Sequence, residues 1–182
     1  MSRLFVAVEL PAAASTELAR IQPPPADGVR LVEPYQMHVT LHFIGDADVE
    51  RVAAALASVQ AAVLPLTVEG VGQFPSEDGG VILWAGVQRS PALLGLHTAV
   101  VTALAGEGFR PEARAYIPHV TLARCEPGVA GGMVNEFLAR HAGSRFRTCR
   151  PRGSDCAPSL AAPRSTVSRT HSSRGAGAGG TA

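Results

Sequence analysis

The sequence contains two short segments with one pattern, HVTLHFIG beginning at His38 and HVTLARC beginning at His119. Polar and apolar residues alternate in both, which predicts strands that bury one face in a core. The strand that contains the first motif should run to Ile44, with His38, Thr40 and His42 on one face. Because the pattern returns 81 residues later, we expect two related halves, each contributing one such strand.

The segments around the two motifs indicate an α+β domain. Further strands are predicted at 4–10, 29–32, 66–74 and 81–87, and helices at 12–21, 49–63, 90–105 and 133–141. Asp46 or Asp48 is the candidate cap of the second helix, and Ser90 that of the third. Hairpins with intervening helices in this order predict antiparallel or mixed sheets in two pseudo-symmetric halves.

The amino-acid composition limits both the number of domains and the kinds of reaction that the chain can carry out. With 182 residues and 46% hydrophobic content, the chain suits one domain, or two small lobes that share a core. All sixteen basic residues are arginine, so a Walker phosphate loop, a Schiff base and a lysyl-adenylate nucleophile are excluded. The three cysteines have neither the spacing of a zinc site nor the density of a disulfide scaffold.

The two motifs suggest a site for a small anionic group, with phosphate the best fit. Residues two apart on a strand point the same way, about 6.5 to 7 Å apart, so each motif presents an imidazole beside a hydroxyl. Imidazole both takes and gives a proton near neutrality. One histidine could therefore deprotonate an attacking water while the other protonates the leaving oxygen, with no metal required. The hydroxyls of Thr40 and Thr121 could donate hydrogen bonds to the non-bridging oxygens.

Two further residues are candidates for phosphate contact. Arg124 follows the second motif, although simple alternation puts it on the face opposite His119. His42 follows the first motif. A metal site that uses His38 and His42 is disfavoured, because four residues on a strand separate them by about 13 Å. No metal and no cofactor are expected.

These residues resemble the paired signature of the 2H phosphoesterases, and in particular the bacterial RNA 2',3'-cyclic phosphodiesterases, also called 2'-5' RNA ligases. RLFVAV at 3–8, GQFP at 72–75 and YIPHVTLAR at 116–124 support the resemblance. It covers roughly residues 2–142. It implies a bilobal α+β fold with helices on the outside and both histidines in a central groove.

The resemblance also implies an activity: metal-independent hydrolysis of RNA 2',3'-cyclic phosphodiester ends to 2'-phosphomonoesters. By position, His38 is then the proton donor to the leaving 3'-oxygen, and His119 is the base that activates water. Thr40 and Thr121 hold the phosphate oxygens. The expected partners are RNA ends or small nucleotides that carry a 2',3'-cyclic phosphate. Two alternatives stay open: 2'-5' RNA ligation by the reverse reaction, and an RNA- or phosphate-binding module that has lost catalysis.

The sequence divides into residues 1–144, predicted as the phosphoesterase domain, and a tail at 145–182. The first part has nine arginines and fourteen acidic residues, a net charge of −5. The tail has seven arginines and one acidic residue, a net charge of +6. The tail is rich in Ser, Arg, Pro and Gly, so we expect disorder. It is either the product of a reading-frame change or a basic arm that binds RNA phosphates, and its scattered arginines favour the first.

The N-terminal apolar run is broken at Glu9, so it is interpreted as a first strand rather than a signal sequence. No uninterrupted apolar run reaches the roughly 18 residues that a membrane helix needs. A cytoplasmic, monomeric protein without membrane contact is expected.

Overall fold

The computed structural model describes residues 2–60, 64–129 and 131–147. The strands are β1 (Ser2–Glu9), β2 (Val29–Leu31), β3 (His38–Ala47), β4 (Thr67–Pro75), β5 (Val81–Val87), β6 (His119–Cys125) and β7 (Arg145–Arg147). The helices are α1 (Ala12–Arg20), α2 (Val49–Leu56), α3 (Pro91–Gly106) and α4 (Gly131–His141), and a short 3₁₀ turn covers Pro34–Gln36. The predicted α+β class is confirmed.

All the strands pair in antiparallel fashion, in the order β1-β3-β6-β5-β4-β7, with β2 added beside β6. One group consists of β1 and β3, and the other consists of β2, β4, β5, β6 and β7; a single pair, Val39 and Val120, joins them. The expected two sheets are thus continuous at one point. β2 pairs with the same edge of β6 as β3 does, but further along β6, and this places Arg30 opposite Arg124.

One face of this sheet forms the hydrophobic core. Val39, Leu41, Val120 and Leu122 are at most 1% exposed, as the alternating pattern of both motifs predicted. The helices pack against that face with the buried side chains Leu18, Val52, Leu93, Leu96, Val100, Leu104, Val134 and Phe137. The opposite face of β3 and β6 carries the histidines and threonines.

The predicted helix caps are observed. Asp48 accepts a hydrogen bond from Arg51 N at 3.0 Å, and Ser90 accepts one from Leu93 N at 3.2 Å. The second helix ends at Leu56, earlier than predicted, because the chain then has to bring Leu64 and Leu66 into the core. No helix in the described residues is long and apolar enough to cross a membrane.

A β-bulge interrupts each histidine strand at the last residue of its HVTL motif. The register with β1 shifts so that Leu41 and His42 both face the core, and the register with β5 shifts so that Leu122 and Ala123 do the same. Simple alternation fails beyond each bulge, because an extra residue on one strand reverses the faces that follow.

The bulges correct the face predicted for His42 and decide the face of Arg124. His42 is 2% exposed and lies in the core, not on the face of His38 and Thr40. Arg124 is exposed and follows two buried residues, so it lies on the face of His119 and Thr121, whereas strict alternation had put it on the other.

The sheet extends into the segment assigned to the tail. Arg145–Arg147 forms β7 and pairs with Thr67–Glu69 at the edge of β4. These three residues therefore belong with the sheet, because β4 offers them an unpaired edge. Residues 148–182 lie outside the described part, so the predicted disorder of the tail stays a prediction.

Candidate active site

The Val39–Val120 pair brings the two motifs together. In an antiparallel ladder the neighbours of a directly opposed pair are also opposed, so His38 lies across from Thr121, and Thr40 across from His119. Since Val39 and Val120 point into the core, these four side chains share the other face. The four residues that the sequence singled out thus form one square of two imidazoles and two hydroxyls.

Each imidazole is held by an equivalent hydrogen bond to a backbone carbonyl two residues before it. Nδ1 of His38 lies 2.6 Å from the carbonyl oxygen of Gln36, and Nδ1 of His119 lies 2.7 Å from that of Ile117. A carbonyl oxygen only accepts, so Nδ1 must carry the hydrogen in each ring. This leaves Nε2 of each histidine as the atom that takes or gives a proton.

Aromatic side chains pack against both histidines. Phe5 stacks on His38 with ring centroids 4.9 Å apart. Phe74 meets His119 edge-on at 5.0 Å, and Trp84 lies 6.0 Å from the same ring. No local sequence pattern marks these three residues as part of a site, because their proximity to the histidines depends on strand pairing.

Burial beside these rings lowers the pKa of both histidines below the ordinary value, since the charged form loses water. The hydrogen bonds to the Gln36 and Ile117 carbonyls oppose this by favouring the protonated rings. The pKa of His119 is lowered further by the charge of His38. The two imidazoles therefore repel each other when both are protonated.

One neighbour makes the two histidines unequal. Glu9, at the end of β1, is paired directly with His38, and its charge raises the pKa of that ring. The residue paired with His119 on β5 is Gly86, which has no side chain. Of the two histidines, His38 is therefore the one whose protonated form is favoured by a paired carboxylate. In the sequence, Glu9 was only the residue that breaks an apolar run.

Of the two additional phosphate candidates, only Arg124 reaches the site face. It follows Thr121 beyond the bulge and is exposed. His42 lies behind the sheet, and its Nε2 is buried without a hydrogen-bond partner among the described residues. His42 acts instead on His97, whose pKa is lowered by burial and by the charge of His42.

Two residues outside the motifs support the geometry. Gly72 lies under the Trp84 ring, and a Cβ there would meet the ring at 2.2 Å. Gln22 donates hydrogen bonds from Nε2 to the carbonyl oxygens of Val32 (2.7 Å) and Leu122 (2.8 Å), which ties the bulge of β6 to the segment after β2. The sequence assigned neither residue a part in the site, although Gly72 begins the GQFP segment at 72–75.

No cluster of three or more His, Cys, Asp and Glu side chains that could hold a metal ion occurs within residues 2–60, 64–129 and 131–147. The independence from metal remains a prediction of the two-histidine chemistry.

Several curated proteins are similar to this chain. A protein of Methanocaldococcus jannaschii named RNA 2',3'-cyclic phosphodiesterase is 29% identical over 125 residues, which are 67% of this chain and 70% of that protein. One of the same name from Archaeoglobus fulgidus is 32% identical over 127 residues, 67% of this chain and 72% of its own length.

Solved structures share the fold. The crystal structure of Escherichia coli LigT complexed with 3'-AMP matches with a TM-score of 0.58 and 26% identity, over 71% of this chain and 76% of LigT. A protein of Thermus thermophilus matches with a TM-score of 0.58 and 25% identity, over 80% of this chain and 83% of that protein. The family model of the 2'-5' RNA ligase superfamily matches residues 10–142. This chain therefore belongs to the 2'-5' RNA ligase superfamily.

Proposed function

We propose that this protein hydrolyses 2',3'-cyclic phosphodiester ends of RNA to 2'-phosphomonoesters, with His38 as the general acid and His119 as the general base. Thr40 and Thr121 hold the phosphate oxygens. The observation that carries the proposal is the Val39–Val120 pairing, which sets both His-Thr pairs side by side on one open face. The relatives named RNA 2',3'-cyclic phosphodiesterase support the choice of substrate.

The reaction needs one proton accepted and one donated. Nε2 of His119 takes a proton from water as the water oxygen forms a bond to phosphorus. The bond between phosphorus and the 3'-oxygen breaks, and Nε2 of His38 gives its proton to that oxygen. The products are a 3'-hydroxyl and a 2'-phosphate, and exchange with solvent returns the two histidines to their starting states.

The division of roles is supported by the environment of each ring. An acid must begin with a proton, and Glu9 favours the proton on His38. A base must begin without one, and both burial and the charge of His38 lower the pKa of His119. Charge grows on the non-bridging oxygens as water adds, and hydroxyl donors held on the rigid strands β3 and β6 stabilise it without rearranging.

A second activity follows from the same geometry if an RNA 5'-hydroxyl replaces water. The attacking oxygen then forms a 2'-5' phosphodiester while the bond to the 3'-oxygen breaks, with the same two proton transfers. The superfamily description, 2'-5' RNA ligase, favours testing this reaction. Hydrolysis in the presence and absence of a second RNA that ends in a 5'-hydroxyl compares the two acceptors directly.

The decisive test of hydrolysis follows the label from water. The full 182-residue chain is incubated with an oligonucleotide ending in a 2',3'-cyclic phosphate, in ¹⁸O-water containing EDTA. The proposal predicts one ¹⁸O atom in a 2'-phosphate and a free 3'-hydroxyl. A 3'-phosphate product would contradict the assigned direction of ring opening, and loss of turnover on chelation would contradict metal independence.

A further inference from the structure

Two arginines face each other on the site face of the sheet, one of them outside both motifs. Arg30 on β2 is directly opposite Arg124 on β6, and both are exposed. Directly opposed residues of an antiparallel pair point to the same side, with Cβ atoms about 5 Å apart. Like charges at that distance destabilise a sheet unless an anion lies between them.

The surroundings leave this pair with unused charge. Among the described residues the salt bridge observed is between Arg140 and Glu136, on α4, so neither Arg30 nor Arg124 is neutralised by a contact of that kind. Asp78, in the β4–β5 turn, interacts with Arg124, but its carboxylate is held chiefly by hydrogen bonds from Ser76 and Gly80.

The position of the pair relates it to the phosphate site. Arg124 is the next residue after Thr121 on the site face, because the bulge places Leu122 and Ala123 in the core. Arg30 lies on the edge of β6 that His38 occupies further along, since β2 and β3 both pair with that edge. The two arginines therefore lie one same-face step, about 7 Å, beyond the His-Thr square.

From this placement we infer a second anion subsite, formed by Arg30 with Arg124, that binds the phosphodiester preceding the terminal nucleotide of the RNA. The inference rests on the proposed function and narrows its substrate to chains of two or more nucleotides. A guanidinium binds phosphate oxygens through paired N–H donors. The subsite would make a cyclic-phosphate dinucleotide a better substrate than a cyclic mononucleotide, and further nucleotides would add little.

The test compares Arg30→Gln with a matched control, Arg110→Gln. Arg110 is exposed, lies four residues after the end of α3 and belongs to neither motif strand. For each variant, kcat/KM is measured on a 2',3'-cyclic mononucleotide and on a dinucleotide with the same cyclic end. We expect Arg30→Gln to lower the dinucleotide value about tenfold relative to the mononucleotide value, as for loss of a charge-assisted phosphate contact. The control should leave that ratio at the wild-type value.

A binding measurement keeps the subsite testable even if the proposed hydrolysis fails. The probe is an oligonucleotide that already ends in a 2'-phosphate, and the slope of log affinity against log salt concentration is recorded. Loss of one phosphate contact in single-stranded RNA should reduce the slope by about 0.7. The midpoint temperature of thermal unfolding at low salt should be no lower in Arg30→Gln than in the wild type, because the substitution removes a like-charge pair.

Equal losses on the two substrates would overturn the inference, since they would place Arg30 at the scissile phosphate or in the folding of the sheet. An unchanged substrate ratio together with an unchanged salt slope would overturn it as well. Absence of turnover of either substrate by the wild-type chain would contradict the proposed function, and the salt slope alone would then decide the subsite.

Discussion

Glu9 is paired directly with His38 across β1 and β3, whereas the partner of His119 on β5 is Gly86. The two HVTL motifs are equivalent in sequence, so nothing within them distinguishes a general acid from a general base. The distinction arises from the neighbouring strand in each half. A carboxylate beside one of two imidazoles favours the protonated form of that ring.

This asymmetry predicts a change in pH dependence. Burial lowers the pKa of both histidines, so the kcat/KM profile should be a bell with its maximum on the acidic side of pH 7. The alkaline limb reports loss of the proton from the acid, His38. Glu9→Gln removes a group that raises the His38 pKa, so the alkaline limb should move to lower pH.

Glu9→Gln should lower kcat/KM about two- to fivefold near pH 7.5 at low ionic strength. This is roughly the effect of removing an exposed charge when little salt is present to screen it. Glu17→Gln, on the exposed side of α1, is the matched control and should leave the profile in place. If Glu9→Gln shifted the acidic limb instead, His38 and His119 would have the opposite roles.

The buried position of His42 predicts that it is dispensable for phosphate chemistry. Its Nε2 has no hydrogen-bond partner within the described residues, and a buried polar atom without a partner costs about 1 to 3 kcal/mol. His42→Leu should therefore keep the free energy of unfolding at or above the wild-type value, measured by urea denaturation. Activity should stay within about twofold. A loss of activity as large as that expected for His38→Ala would return His42 to the site.

The contact between Gly72 and Trp84 predicts a steric effect. A methyl group at position 72 would overlap the indole ring that lies beside His119, and overpacking of this kind costs about 1 to 3 kcal/mol. Gly72→Ala should lower both the free energy of unfolding and kcat. Gly95→Ala, in α3 where the added Cβ meets nothing within 4 Å, should stabilise the protein by about 0.5 to 1 kcal/mol.

Regular elements were predictable because each follows from a local pattern. The stripe of Leu93, Leu96, Val100 and Leu104 predicted the buried face of α3, and Ser90 predicted where the helix begins. The alternation of HVTL likewise predicted which residues face the core. In all these cases the side-chain period itself decides burial.

The bulges were not predictable in the same way. HVTLHF alternates perfectly, yet His42 is in the core because the pairing of β3 with β1 shifts by one residue there. Arg124 changes faces for the equivalent reason in the pairing of β6 with β5. Register between distant strands, not local period, determines these faces. The same is true of Glu9 and Arg30, whose importance depends on partners 29 and 94 residues away.

The central claim is that His38 and His119 together carry the proton transfers. It is tested most directly by single-turnover rates on a cyclic-phosphate dinucleotide in EDTA, for His38→Ala, His119→Ala and the control His141→Ala. His141 is on α4, where its ring packs beside Phe137. Each site substitution should lower the rate by about 10² to 10⁴, while the control retains the wild-type rate. Wild-type rates in both site variants would contradict the account.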